Sequence, residues 1–363
     1  MYEQFQVQNF RNFTDLKIDG IERINLITGL NDVGKTTLLE AIFLHSGEFN
    51  PTLTLYLNVF RGIEKQPIKV FSQDESPWAP LFHDFNINEP IKFIGHYKEG
   101  GQRTLSLRII NNPEELTQVY RSILAKLPVI NKEDTDAYFT RSAYVLEYDC
   151  EDEQNQRSKY FYIIDPRGES VVPLPLEMPY PATFILARKW FASDDVARFV
   201  QLEKNKNVDT LLHVLKIIEP RLTKLTILFE NGVPQIEGDV GLPKLVPLAL
   251  MGEGITRLAS IVLAISATKN GVVLIDEIEN GFHYSKLSTV WQALSEASLL
   301  FNAQIFATTH SFECIKAAHE FFQESPTYNF RLHRLEAIGN KINTITYDQG
   351  SLSAALASEF EVR

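Results

Sequence analysis

The spacing of apolar side chains in the first half of the chain predicts antiparallel strands. Apolar and polar residues alternate over 2–9 and 13–18, which predicts two strands joined by a tight turn. The apolar run Ile24–Ile27 predicts a buried strand at 24–28, followed by a helix with apolar residues at spacings of three and four. Further expected elements are a helix at 53–60, hairpins at 91–97/103–110 and 143–149/160–164, and a helix at 113–126.

After residue 182 the pattern changes to strands that alternate with helices. Apolar strands are predicted at 183–187, 272–275 and 304–308, with a helix at 254–268 among those between them. Such βαβα alternation is typical of a parallel sheet with helices packed on its faces. The remaining expected elements are one or two helices at 194–218, helices at 285–300 and 312–323, and strands at 225–230, 244–250, 328–335 and 341–347. We therefore expect an α/β fold with three parts: 1–110, an accessory insertion at 111–181, and 182–363.

Composition changes this picture little. The chain has 363 residues, 35 basic and 46 acidic, so its net charge of −11 does not indicate a nucleic-acid-binding surface. Cys150 and Cys314 are far apart and have no metal-ligand spacing, which favours a reducing compartment. No apolar run is long enough to span a bilayer and the start lacks a signal-peptide pattern, so we expect a cytoplasmic protein without membrane contact.

The stretch from Gly29 to Thr37 has the pattern G-x-x-x-x-G-K-[ST] between the strand at 24–28 and the helix that follows. This is the context in which backbone N–H groups and a helix N-terminus hold phosphates. Lys35 is expected to contact the β- and γ-phosphates, Thr36 to bind Mg²⁺ and Thr37 to contact the α-phosphate. The backbone of the remaining loop residues is expected to surround the nucleotide: Asn31, Asp32, Val33 and Gly34. A surface turn with an incidental lysine is the alternative, and the flanking strand and helix argue against it.

A second predicted component is the acid pair Asp276–Glu277, at the end of the apolar run 272–275. Ligands bind at the carboxyl ends of strands in α/β sheets. Asp276 is expected to bind Mg²⁺ opposite Thr36, and Glu277 to polarise the attacking water. Taken alone, the pair reads equally well as a helix-capping turn with solvated acids. The upstream phosphate loop favours the catalytic interpretation.

Two further positions are candidates for phosphate contact. His310 follows the strand at 304–308, where its imidazole is expected to donate to a γ-phosphate oxygen. Gly252 and Gly254 open the helix at 254–268, so their amides form a potential second anion site. An ordinary helix start is the simpler interpretation of that glycine pair from local sequence.

Together, the phosphate loop, the glycine pair, the acid pair and His310 resemble the ABC-type ATPase head. The resemblance is closest to bacterial "AAA family ATPase" proteins related to the OLD family. The resemblance covers residues 1–48 and about 182–320, and it is most specific at 275–283 and 304–311. It implies a P-loop NTPase fold of ABC-ATPase head type that uses ATP and Mg²⁺.

The resemblance also implies a nucleotide-dependent homodimer. Gly252 and Gly254 fall on the family's signature loop, which contacts the γ-phosphate held by the opposite subunit in a head-to-tail arrangement. Glu279 and Asn280 fall on a loop at the dimer interface, and Arg188 matches a basic position.

Two departures from the family pattern predict slow or partner-dependent hydrolysis. Met251 replaces the usual signature serine, and Gln73 is a candidate for the Q-loop glutamine by position only.

The OLD family proper continues into a Toprim nuclease domain, for which we expect no room before Arg363. The acidic pair Asp134 and Asp136 reads better as a solvated loop than as a metal site. The resulting hypothesis is an ATP-hydrolysing switch for a separately encoded effector, as in bacterial anti-phage defence. The alternatives are an SMC-like DNA repair or clamp ATPase and, with less support, the ATPase subunit of a transporter.

Overall fold

A computed structural model describes residues 1–47, 50–61, 76–124, 143–165, 168–174, 181–187, 192–358 and 360–363. Gln73, Asp134, Asp136 and Arg188 lie outside these residues, so the predictions made for them stay predictions.

Sixteen strands and nine helices occur in the described residues. The strands are β1 (Tyr2–Phe10), β2 (Phe13–Asp19), β3 (Ile24–Gly29), β4 (Ile91–Tyr97), β5 (Gln102–Ile109), β6 (Tyr144–Glu151), β7 (Arg157–Asp165), β8 (Gly168–Val172), β9 (Ala182–Ile185), β10 (Lys224–Glu230), β11 (Val233–Asp239), β12 (Val246–Pro247), β13 (Val272–Ile275), β14 (Gln304–Thr308), β15 (Phe330–Ile338) and β16 (Lys341–Tyr347). The helices are α1 (Lys35–Ser46), α2 (Leu53–Phe60), α3 (Pro113–Leu124), α4 (Ala192–Lys204), α5 (Val208–Lys216), α6 (Glu253–Ala267), α7 (Leu287–Leu300), α8 (Phe312–Glu324) and α9 (Gln349–Ala357).

A six-stranded sheet carries the predicted site. Its order is β16-β15-β3-β14-β13-β9, and every pair is parallel except β15 with β16. Every residue of β3, β13 and β14 is buried, as expected for strands covered on both faces. The predicted α/β fold with a parallel sheet is confirmed, and the carboxyl ends of β3, β14 and β13 lie side by side.

Alternate residues of these strands enter two different hydrophobic cores. Val272 and Leu274 pack with α1 and the N-terminal strands, whereas Val273 and Ile275 pack with α6, α7 and α8. Helix α1 is therefore buried between two sheets, which explains why even its polar residue Glu40 is inaccessible to solvent.

A seven-stranded antiparallel sheet covers the α1 face, in the order β2-β1-β4-β5-β6-β7-β8. The predicted hairpins are confirmed, and apolar side chains such as Phe5 and Val7 of β1 point into the core. Strands β6 to β8 belong to the segment predicted as an accessory insertion. They continue the sheet of the N-terminal segment and do not form a sheet of their own.

Near the start of α6, a small sheet of order β10-β11-β12 corrects part of the sequence prediction. The strand predicted at 244–250 is wrong beyond Val246–Pro247, because residues 248–250 form a 3₁₀ turn. The partner of β10 is β11, which the prediction missed because Pro234 and Gly238 interrupt its pattern. Pro234 is tolerated because β12 pairs only with the other end of β11, so no neighbour needs its missing N–H. Helix α9 was also not predicted.

None of the helices in the described part of the chain has the length and apolar character needed to cross a membrane.

Candidate functional site

The loop after β3 is held in a shape that only glycine can adopt at two positions. Gly29 has φ of +139°, and a Cβ there would lie 2.4 Å from the backbone oxygen of Leu335. Gly34 has φ of +103°, and its Cβ would lie 2.5 Å from Nδ2 of Asn12 and 2.8 Å from the Phe13 ring. Left-handed backbone and close neighbours therefore both exclude a side chain. The loop lies between β15 and the first hairpin, and α1 begins directly after it at Lys35.

The amine of Lys35 lies inside this loop. It donates to the backbone oxygens of Gly29 at 2.7 Å and Leu30 at 2.8 Å. An ammonium group has three N–H donors, so two of them hold the loop and one remains for a ligand. Burial lowers the pKa of Lys35, while nearby carboxylates, Asp276 foremost, act in the opposite direction.

The carboxylate of Asp276 connects three neighbouring segments: the start of α1, the end of β14 and the loop after β13. Its Oδ1 accepts hydrogen bonds from the hydroxyls of Thr36 at 3.0 Å and Thr308 at 2.7 Å. The Thr308 hydroxyl oxygen in turn accepts from the backbone N–H of Glu277 at 2.8 Å. Sequence reasoning noted the polar end of β14 but gave Thr308 no role. The available signal was a threonine at the end of a predicted strand, since the acid pair also directly follows a predicted strand of the same sheet.

Glu277 is half-buried and lies on a backbone turn with φ of +49°. Its Oε2 accepts a hydrogen bond from Nδ2 of Asn280 at 2.6 Å. The neighbouring Glu279 accepts from the backbone N–H of His310 at 2.8 Å. The loop after β13 is therefore bonded to the end of β14, and the predicted base has one oxygen held in place by an amide.

A cavity of about 490 Å³ lies over the glycine loop. Its lining includes seven residues expected from the sequence, namely Asn31, Asp32, Gly34, Lys35, Thr36, Thr37 and His310. It also includes four residues that sequence reasoning missed, namely Arg11, Asn12, Arg61 and Pro80. Val33 is buried beneath the loop, so only its backbone is available for the predicted contact. The missed arginines come from a hairpin turn and a helix end, and no motif marks them.

The second glycine loop lies elsewhere. Helix α6 begins at Glu253, one residue before the predicted start, and Gly252 precedes it with φ of +108°. A Cβ on Gly254 would lie 3.3 Å from the backbone oxygen of Gly281, so this loop packs on the segment after the acid pair. Neither Gly252 nor Gly254 is among the described residues that line the cavity over the phosphate loop. Met251, in the place of the signature serine, packs against the small sheet near Gly238.

A protein-family model spans most of these elements. The family described as "AAA domain, putative AbiEii toxin, Type IV TA system" matches residues 24–314, which is more than half of the chain. The chain belongs to this family, AAA_21. The matched span contains the glycine loop, Asp276, Glu277 and His310. The AAA_21 chain is thus a P-loop ATPase-type protein, with the P-loop fold that its sheet order shows.

Individual proteins add a wider comparison. An "ATP/GTP phosphatase" of Helicobacter pylori is 25% identical over 354 residues, covering 89% of each chain. Among solved structures, an SMC head bound to the C-winged helix domain of ScpA is 12% identical, with a TM-score of 0.48 over 98% of this chain and 99% of that one. The SMC head domain from Thermotoga maritima is 11% identical, with a TM-score of 0.42 over 96% and 99%.

Proposed function

We propose that this AAA_21 chain binds ATP with Mg²⁺ at the loop from Gly29 to Thr37 and hydrolyses it. One observation carries the proposal. The Thr36 hydroxyl, in the first turn of α1, and the Asp276 carboxylate, directly after β13, are 3.0 Å apart. Both are oxygen donors, and Mg²⁺ typically takes one or two protein oxygens, with phosphates and water as its other ligands. Oxygen donors suit Mg²⁺ better than zinc, which favours Cys and His ligands.

The chain's own residues have distinct roles in this proposal. ATP supplies the phosphoanhydride bond that is cleaved, and Lys35 and the loop amides bind its phosphates. Glu277 takes the proton from the attacking water, and Asn280 keeps its carboxylate oriented. His310 lines the same cavity, where it is placed to donate to a phosphate oxygen.

We further propose a head-to-tail homodimer closed by ATP. Gly252 and Gly254 do not line the cavity over the phosphate loop of their own chain, so in this proposal a second copy brings the two loops together. Each loop exposes a large apolar side chain: Leu30 and Leu250 are both 75% exposed. Burial of these side chains against a partner is favourable.

The role proposed for the dimer is that of a switch for a separately encoded effector in anti-phage defence. The OLD-like stretches at 275–283 and 304–311 support this, as does the toxin system in the description of the AAA_21 family. A cytoplasmic location suits this role. An SMC-like clamp on DNA is the alternative, and the net charge of −11 counts against it.

The test is ATP binding and phosphate release by wild type, Lys35→Ala and Lys92→Ala. Lys92 is an exposed lysine of β4 and serves as the matched control. We expect Lys35→Ala to lose measurable ATP binding by calorimetry, because it removes the cation inside the loop, while Lys92→Ala behaves as wild type. Equal ATP affinity in all three proteins would refute the assignment of the site.

A further inference from the structure

A cluster of two arginines and one glutamate lies beside the phosphate loop. Glu40, on α1 one turn after Thr36, is 1% exposed. Its carboxylate accepts two hydrogen bonds from Arg61, from Nε at 2.8 Å and Nη2 at 2.9 Å. It also forms an ion pair with Nε of Arg11 at 2.9 Å. Two guanidinium groups therefore share a single carboxylate, and the cluster carries a net charge of +1.

Different elements bring the two arginines to this place. Arg11 lies in the turn between β1 and β2 with φ of +52°, and its backbone N–H donates to the oxygen of Leu81 at 2.8 Å. Arg61 follows the last turn of α2. Their side chains are 13% and 41% exposed, so Glu40 draws both cations into partly buried positions at the edge of the cavity.

One buried donor of the cluster has no hydrogen-bond partner among the described residues. Arg11 Nη2 is buried and makes no hydrogen bond within the described residues. Burial lowers the pKa of Arg11; Glu40 opposes that shift, and the like charge of Arg61 adds to it. A second anion near the two guanidiniums would relieve both the unmet hydrogen bond and the repulsion. Both arginines line the cavity over the phosphate loop, so an anion bound there is within their reach.

We propose that Arg11 and Arg61 bind the phosphate chain of the nucleotide and that Glu40 is the positioning residue that holds both guanidiniums toward it. This inference rests on the proposed function, since it extends the same site. Arginine suits the task because its planar fork donates to carboxylate and phosphate oxygens at once.

The first experiment measures ATP affinity by calorimetry for Arg11→Gln, Arg61→Gln and Arg108→Gln. Arg108 is the matched control, because it also pairs with two carboxylates, Glu115 and Glu147, but does not line the cavity. We expect each site variant to bind ATP about tenfold more weakly or worse, as for a lost charge-assisted hydrogen bond, with the control unchanged. If Arg11→Gln fails to fold, the more exposed Arg61 carries the test. Site variants that bind ATP as tightly as Arg108→Gln overturn the proposal.

Salt distinguishes a phosphate contact from a contact with the base. The affinity ratio between wild type and each site variant should fall between about 50 mM and 500 mM NaCl, because ions screen a charge–charge attraction. A ratio that does not change with salt assigns the arginines to the nucleoside and overturns the proposal.

Glu40→Gln distinguishes two possible effects of Glu40 on ATP affinity: its effect on the positions of the two arginines and its effect on the net charge of the cluster. It raises the net charge beside the phosphates, so ATP would bind more tightly if charge alone mattered. If Glu40 holds the arginines in position, ATP binds more weakly, and Glu40→Asp, which keeps the carboxylate, partly restores affinity. Tighter ATP binding by Glu40→Gln overturns the positioning role.

Lys35→Ala tells the two proposals apart. If that variant loses ATP binding while the arginine variants do not, only the present inference fails. If Lys35→Ala binds ATP normally, the proposed function itself fails.

Discussion

Asp276 and Thr36 are 240 residues apart in the chain, yet the Thr36 hydroxyl donates to the Asp276 carboxylate at 3.0 Å. The contact exists because β14 lies between β3 and β13, and Thr308 at its end bonds the same carboxylate oxygen. One carboxylate thus connects the phosphate loop, the acid pair and the strand that leads to His310.

Glu277→Gln should separate ATP binding from hydrolysis. The amide keeps the shape of the side chain but cannot take a proton from water, so turnover should fall by about 10²–10⁴-fold while ATP affinity persists. Asp276→Asn is the matched comparison, and it should lose Mg²⁺-dependent binding together with turnover. Phosphate-release and binding assays on both variants test this. A wild-type hydrolysis rate in Glu277→Gln would place the base elsewhere, with Glu279 and His310 the next candidates.

Thr308→Val should destabilise the fold and slow hydrolysis. The substitution keeps the side-chain shape but removes the donor to Asp276 and the acceptor for the Glu277 N–H. We expect a loss of about 1–3 kcal/mol in the free energy of unfolding, measured with denaturant, because a partly buried N–H and a carboxylate oxygen each lose a hydrogen bond. Thr226→Val, at a half-buried threonine of β10 in the small sheet, is the control. Equal stability of the two variants would show that the Thr308 bridge contributes nothing.

ATP should double the mass of the Glu277→Gln protein in light scattering, and Leu250→Ser should oppose that change. Leu250 is 75% exposed beside the Gly252 loop, and burying a leucine is worth about 1.5–3 kcal/mol. Its loss should weaken the dimer by about tenfold or more. Ile338→Ser, at an exposed isoleucine of β15, controls for general loss of apolar surface. A monomeric mass that ATP leaves unchanged at high protein concentration argues against ATP-driven dimerisation.

Acid should destabilise the protein through two buried histidines. Burial lowers the pKa of both His45 and His333 to about 3, so each is neutral in the folded protein. The unfolded chain takes up these protons below its ordinary pKa of about 6.5, whereas the folded chain does not until about pH 3. Each histidine's contribution is therefore complete above pH 6.5 and is lost as the pH falls toward 3, at about 1.4 kcal/mol per pH unit.

Denaturant titrations between pH 7 and pH 4 measure this slope. His333→Gln keeps hydrogen-bonding capacity toward Thr346 and Asn25 but has no titrating group. The free energy of unfolding of this variant should therefore fall less steeply with decreasing pH, by the equivalent of about one proton. An identical slope in wild type and variant would exclude His333 as a source of the acid sensitivity.

Much of the local structure could be predicted from the sequence. The strands at 24–28, 272–275 and 304–308 are fully buried and mostly apolar, and period-two alternation marks the hairpins of the N-terminal sheet. The glycine loop was predictable because its glycines, lysine and threonines have a fixed local spacing between a strand and a helix. These features depend on neighbours within a few residues. The catalytic and binding roles assigned to the site residues stay predictions.

Long-range features could not be predicted in this way. Strand β11 was missed because Pro234 and Gly238 break its pattern, and the small sheet tolerates them only because β12 is short. The sequence by itself determined which residues form the phosphate loop and the acid pair, because each is a continuous segment. Only the tertiary structure decided that Thr308 bridges them and that Glu40 draws Arg11 and Arg61 to the same cavity. The reason is physical: strand order and the burial of a charged side chain depend on packing between segments far apart in the chain. The local spacing of apolar and polar residues carries no information about that packing.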